Sequence, residues 1–180
     1  EKLKEIKDIN TYIEDEFAKY FSSSIVVDSK GGKVEGKDAF EITKSLKAEL
    51  SKPVDQRSLP LFIYTMNDGL LKYVVPLIGK GLWGQIWGYV ALNDDFNTVY
   101  GAVFDHAGET PGLGAEINQL WFQEKFKNKQ IFDRDGNFIS INIIKGGADP
   151  ADPHGVDAIS GGTITSRGLE SMLRDNLKSY

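Results

Sequence analysis

The chain has 180 residues, 41% hydrophobic and 26% charged, the balance of one ordinary globular domain or two closely joined halves. A net charge of −5 argues against the basic face that nucleic acid requires, and no nucleic-acid partner is expected. Cysteine is absent, which removes disulfides, thiolate chemistry, iron–sulfur ligation and cysteine-type zinc sites together. No apolar run approaches the ~20 residues a membrane-spanning helix needs.

In chain order, Ile6, Ile9, Ile13, Phe17 and Phe21 recur at helical steps and predict an amphipathic helix over Lys4 to Phe21. Ile25 to Val27 reads as a short strand. A helix is expected over Lys44 to Leu50, stopped by Ser51-Lys52-Pro53. Leu59 to Thr65 and Leu70 to Leu77 read as strands joined at Asn67-Asp68-Gly69, a turn that needs positive φ. The run Gly79 to Gly88 is rich in glycine and tryptophan. It leads into a strand over Tyr89 to Leu92, for which Trp87 reads as a core residue, and Thr98 to Asp105 predicts the next β-rich run.

His106 to Glu116 carries Pro111 and three glycines, which predicts a loop of fixed shape opening onto a helix from Glu116 to about Lys127. His106 reads as a hydrogen-bonding loop residue rather than an acid–base group, since the chain has one further histidine and no cysteine. Ile131-Phe132 and Phe138 to Ile144 read as strands around the turn Asp133 to Asn137, which lacks the spaced ligands of a calcium loop. Asp149, Asp152, His154 and Asp157 match no ligand spacing, and no metal site is predicted. Strands joined by short hairpins and interleaved with three or four helices predict an α+β domain with a curved, largely antiparallel sheet and flanking helices.

The run Asp157-Ala158-Ile159-Ser160-Gly161-Gly162-Thr163-Ile164-Thr165-Ser166 sets four hydroxyls and two adjacent glycines ahead of a helix over Arg167 to Tyr180. Two readings fit the spacing. One is a helix N-cap turn, for which Ser and Thr are favoured in their own right. The other is a phosphate site at the helix N-terminus, with Thr163 accepting a hydrogen bond or carrying a phosphoester.

Three motifs carry a family resemblance. Asp157-x-x-Ser160-Gly161-Gly162-Thr163 resembles the flavinylation motif Asp-x-x-Ser/Thr-Gly-Ala-Thr of bacterial FMN-binding domains, with Gly162 in place of the usual alanine. Gly79-x-Gly81-Leu82-Trp83 and Gly108-Glu109-Thr110-Pro111-Gly112-Leu113-Gly114 resemble the segments that border the flavin in NqrC, a flavin-bearing member of the sodium-translocating NADH:quinone reductase (Nqr). The corresponding flavin protein of the Rnf complex, RnfG, shares much of this pattern. Phe104-Asp105-His106-x-Gly108-Glu109-Thr110 and the Leu-Trp pair favour the Nqr branch. Arg167 also departs from the polar residue common in the family.

The resemblance implies FMN joined through its phosphate to Thr163, with Ser160, Gly161, Gly162, Thr165 and Ser166 around the phosphate. It implies Leu82 and Trp83 packed on the ring and Glu109, Thr110, Gly112 and Leu113 along the ring's polar edge. No residue of the chain is then catalytic, and the domain is an electron relay. The implied partners are the other subunits of the Nqr membrane complex and, during maturation, a flavin transferase. Residues 1–22 would be a helix following a single membrane anchor cut from the N-terminus, and residues 23–180 the FMN-binding domain. That domain would lie on the extracytoplasmic side of the inner membrane. A free-standing flavin enzyme and a module binding a phosphorylated ligand without covalent chemistry are the competing classes.

Overall fold

A computed structural model describes residues 21–180 of the chain. The helix expected over Lys4 to Phe21 lies outside the described residues except for Phe21, which opens the first strand. Five strands form one antiparallel meander: β1 (Phe21–Val27), β2 (Leu59–Thr65), β3 (Leu71–Lys80), β4 (Gln85–Leu92) and β5 (Val99–His106). The Asn67-Asp68-Gly69 turn joins β2 to β3 as its sequence predicts, with Gly69 at φ +85°. Between β1 and β2 the chain makes α1 (Ala39–Lys44) and α2 (Leu46–Leu50), where one helix over Lys44 to Leu50 was expected. The Asp38 side chain caps α1 by accepting from the Glu41 N–H, which starts the helix earlier than its apolar pattern suggests.

Behind β5 the expected single helix over Glu116 to Lys127 is broken into a 3₁₀ turn (Gly114–Asn118), α3 (Leu120–Gln123) and a second 3₁₀ turn (Glu124–Phe126). Gln119 is extended at φ −84°, ψ 138° and interrupts the helical bonding. This break lets Ile117, Phe122 and Phe126 all reach the core, each with no exposed surface. The strand pair expected over residues 131–144 shrinks to a single bridge between Phe132 and Phe138. Its continuation, β6 (Asn142–Ile144), pairs in parallel with β7 (Gly155–Asp157). The fold is therefore α+β and largely antiparallel, with one small parallel ribbon.

The final helix, α4 (Thr163–Leu177), lies along β3. Leu169, Met172, Leu173 and Leu177 face Val75, Leu77, Ile86, Val90 and Phe104 in the main core. Its placement is fixed by more than apolar area. Asn176 accepts from the Ile78 N–H at 2.8 Å and donates to the Ile78 carbonyl at 3.2 Å, so the side chain completes the backbone bonding of the strand. Glu170 accepts from the Ile143 N–H at 2.9 Å, and Tyr180 donates to the Pro60 carbonyl at 2.7 Å. These contacts hold the middle and the C-terminal end of α4, the helix whose first residue is Thr163.

Candidate functional site

The start of α4 departs from ordinary capping. Its N-cap is Gly162, no side chain caps it among the described residues, and its first turn holds no acidic residue. Helices normally recruit Ser, Thr, Asp or Asn at this position, because the first N–H groups have no partner within the helix. The N-cap reading of the hydroxyl cluster therefore does not describe this turn: Thr163 is the first helical residue, not the cap. Thr165 is buried and donates its hydroxyl to Glu109, while Ser166 is buried and its Oγ accepts from the Ile159 N–H at 3.2 Å. Thr163 is half-buried and its hydroxyl makes no hydrogen bond within the described residues, so it is the one hydroxyl of the first turn left for a ligand.

Two glycine-bearing segments meet this turn. The first is the tight β3–β4 connection, closed by Gly81 N–H donating to the Gly84 carbonyl at 2.8 Å. The second is the loop after β5. Glu109 joins both to α4. Its Oε1 accepts from the Trp83 N–H at 2.8 Å and the Gly84 N–H at 3.3 Å, and its Oε2 accepts from the Thr165 hydroxyl. Burial pushes the Glu109 carboxyl up, yet hydrogen bonds from Thr165, Trp83, Gly84 and Leu82 outweigh it and hold the group below the ordinary glutamate range. Glu109 is thus an ionised acceptor, only 4% exposed, at the junction of three segments.

The junction closes only because side chains are missing from it. A Cβ on Gly114 would strike the Thr165 Oγ1 and stand 2.7 Å from the Glu109 Oε2. Gly161 adopts φ +72°, and a Cβ there would strike the Leu113 side chain, so this glycine answers both a backbone and a space requirement.

Around the junction the surface is apolar and open. Leu82 is 42% exposed, Trp83 69%, Leu113 40% and Ile164 55%. Trp83 is nonetheless oriented, because its indole N–H donates to the Thr110 hydroxyl at 3.2 Å. The Thr110 carbonyl accepts from the Leu113 and Ala115 N–H groups, both at 3.1 Å, and Gly112, at φ +74°, donates to Glu116. Two clefts border the β3–β4 connection: one of about 550 Å³ is lined by Lys47, Ile78, Lys80, Gly84 and Asn176, and one of about 410 Å³ by Gly81, Ile164, Arg167 and Gly168.

The expected residues therefore divide. Trp83 is bonded to Thr110, the Leu113 side chain lies against Gly161, and Gly162, which precedes Thr163, lies against the Gly114 backbone, while Leu82 and Ser160 are exposed. The side chains of Glu109, Thr165 and Ser166, expected at the ring edge and around the phosphate, are instead turned inward and bonded within the protein. The cause is that each buried polar group must find a partner: Glu109 and Thr165 find each other, and Ser166 accepts from the Ile159 N–H. Asp157, at the head of the motif, accepts from Lys125 Nζ at 2.5 Å and the Ala148 N–H at 2.7 Å. Lys125 in turn lies 5.5 Å over the Trp121 ring. Its role has no local sequence signal, being 32 residues away from Asp157. Ile164, which the sequence reading did not place at the site, is exposed on the first turn of α4 and lies off the helix's buried stripe.

The FMN-binding domain family matches this chain over residues 81–178, a span that begins at the β3–β4 connection and runs through the last helix. The chain belongs to the FMN-binding domain family. Among solved structures, its FMN-binding fold is similar to NqrC of the Na(+)-translocating NADH-quinone reductase from Parabacteroides distasonis, at 40% identity and TM-score 0.81, over 97% of this chain and 83% of that one. NqrC from Shewanella oneidensis is similar at 34% identity and TM-score 0.72, over 92% of this chain and 80% of that one. Among curated relatives, NqrC of the Na(+)-translocating NADH-quinone reductase of Vibrio anguillarum is 33% identical over 167 residues, 86% of this chain. The chain spans 65% of that relative's length and 52% of the length of the Vibrio campbellii NqrC.

Proposed function

We propose that this chain is the flavin-bearing domain of the NqrC protein of a sodium-translocating NADH:quinone reductase, carrying FMN as a phosphoester on Thr163. The observation that carries the reading is the first turn of α4: uncapped, led by Gly162, with one unengaged hydroxyl at Thr163 between two glycine-bearing segments. The N–H groups at the start of an α-helix have no partner within it, and with the positive end of the helix dipole they would favour a phosphate there. Formation of the ester joins the Thr163 oxygen to phosphorus with the net loss of one water.

The residues fit such a group. Leu82, Trp83 and Leu113 offer an exposed apolar surface for a flat tricycle, and Trp83 is already oriented by Thr110. Thr110 and Gly112 stand at its margin to contact polar ring atoms. FMN, when bound, supplies the electron chemistry, and the protein supplies position and electrostatics. The openness of the face suits a relay, because a tethered ring can stay in place while one edge remains reachable by neighbouring subunits. NADH oxidation, quinone reduction and sodium movement would belong to other subunits of the membrane complex. A flavin transferase would install the cofactor on the extracytoplasmic side.

The test is a denaturing gel of the protein after reaction with a flavin transferase. The proposal expects a fluorescent band that withstands denaturant and is absent in Thr163→Ala. A fluorescent native protein that loses its flavin on the gel would show non-covalent binding and overturn the ester.

A further inference from the structure

We propose that Glu109 is the positioning residue of this site: its buried carboxylate, without touching the cofactor, sets the Leu82–Trp83 wall at a fixed place relative to Thr163. The inference deepens the flavin reading and rests on it for its ligand, but its mechanical half stands on the protein alone.

Consider what holds the wall. The β3–β4 connection is short and closed by one backbone hydrogen bond of its own, Gly81 to Gly84. Its two large side chains, Leu82 and Trp83, are exposed, so apolar packing does little to orient them. Further restraints come from the Trp83 and Gly84 N–H groups bonded to Glu109 Oε1, from the Leu82 backbone beside the same carboxylate, and from the indole bonded to Thr110 in the same loop as Glu109. The other carboxylate oxygen takes the Thr165 hydroxyl, two residues along α4 from Thr163. One carboxylate thus spans from the wall to the helix that bears the anchor. Its own backbone is held as well, since the Glu109 N–H donates to His106 Nδ1 at 3.1 Å.

The glycines say the same from the steric side. Gly81 would place a Cβ 2.6 Å from Glu109 Oε1 and Gly114 one 2.7 Å from Oε2, so the carboxylate occupies a slot cleared on both sides. A residue needed only to solubilise a loop would be exposed; this one is buried and accepts from the Trp83 N–H, the Gly84 N–H and the Thr165 hydroxyl. Bonds to an ionised group are stronger and shorter than neutral ones, which suits a restraint on an otherwise loose turn.

The experiment compares Glu109→Ala, Glu109→Gln and, as a matched destabilising control, Leu59→Ala, a fully buried residue in a separate cluster. Amide hydrogen exchange is read on the flavin-free domain by NMR. In Glu109→Ala the Trp83 and Gly84 amides should exchange about tenfold faster or more, the loss of roughly one charge-assisted hydrogen bond. The Val90 and Leu173 amides should change only as much as they do in Leu59→Ala. Glu109→Gln should recover part of the protection, because its amide oxygen still accepts from both N–H groups. In protein loaded at Thr163, the flavin's fluorescence anisotropy should fall in Glu109→Ala and hold in Leu59→Ala. Equal protection of Trp83 and Gly84 in wild type and Glu109→Ala would overturn the proposal, as would a loaded flavin equally immobile in both. A wild-type domain that accepts no flavin would refute the flavin reading instead, leaving the exchange result to decide the restraint.

Discussion

Replacing Gly114 with alanine adds one methyl group at the point where the loop after β5 meets α4. The new Cβ would strike Thr165 Oγ1, stand 2.7 Å from Glu109 Oε2 and 3.0 Å from Thr165 Cβ. Gly114 does not sit at positive φ, so the penalty is one of space and not of backbone conformation. Overpacking of this kind costs about 1–3 kcal/mol, and displacing Thr165 from an ionised acceptor adds about 1.5–3 kcal/mol where the bond is lost. Together they amount to about 2.5–6 kcal/mol, which lowers the melting temperature of a chain this size by roughly 5–24 °C. Gly108→Ala is the control, because its Cβ would meet nothing within 4 Å, and it should stay within about 0.5 kcal/mol of wild type. Adding Thr165→Ala to Gly114→Ala removes the struck oxygen, so the pair should cost less than the two changes summed, by about 1 kcal/mol. Urea and thermal unfolding read wild type, Gly114→Ala, Gly108→Ala, Thr165→Ala and the double variant. A Gly114→Ala protein as stable as Gly108→Ala would refute the close approach of these segments, and with it the construction of the site.

Acid should loosen the junction early. The Glu109 and Asp157 carboxyls are both held below their ordinary values, Glu109 by its hydrogen bonds against burial and Asp157 first by Lys125 and then by the Ala148 N–H. A carboxyl lowered in the folded state contributes stability that is full above its unfolded value and is lost as pH falls through the folded one. Urea midpoints taken from neutral pH downward should therefore fall through the acid range, and Glu109→Gln should flatten part of that fall. Asp157 is paired near the surface, so Asp157→Asn should cost no more than about 1 kcal/mol, and less in high salt. On α4, Leu169→Ala should cost about 2–5 kcal/mol because the side chain is fully buried, whereas exposed Ile164→Ala should fall within about 0.5 kcal/mol in unfolding experiments and show its effect only on the flavin.

The meander was legible in the sequence because its strands are bounded by turns with their own chemistry, such as Asn67-Asp68-Gly69. The broken run over residues 114–126 was not. Its apolar residues keep near-helical spacing, yet Ile117, Phe122 and Phe126 must reach the core beneath β5, and extended Gln119 makes that possible. The three motifs of the candidate site stood out only through their resemblance to a flavin-binding family, because spacing alone left Thr163 open between an N-cap turn and a phosphate site. What motif reading missed is the direction of the polar side chains. Whether Glu109 faces a ligand or the interior depends on Thr165, 56 residues away, and on backbone N–H groups that no sequence pattern displays. The same holds for Asp157 and Lys125, brought together by the fold alone.

The most direct test of the account is the intact mass of the domain after co-expression with a flavin transferase. The account predicts an increase of one FMN less one water, with the adduct mapped to the peptide containing Thr163 and absent from Thr163→Ala. An unmodified mass while a known acceptor protein in the same cells is fully flavinylated, or an adduct on any other residue, would contradict it.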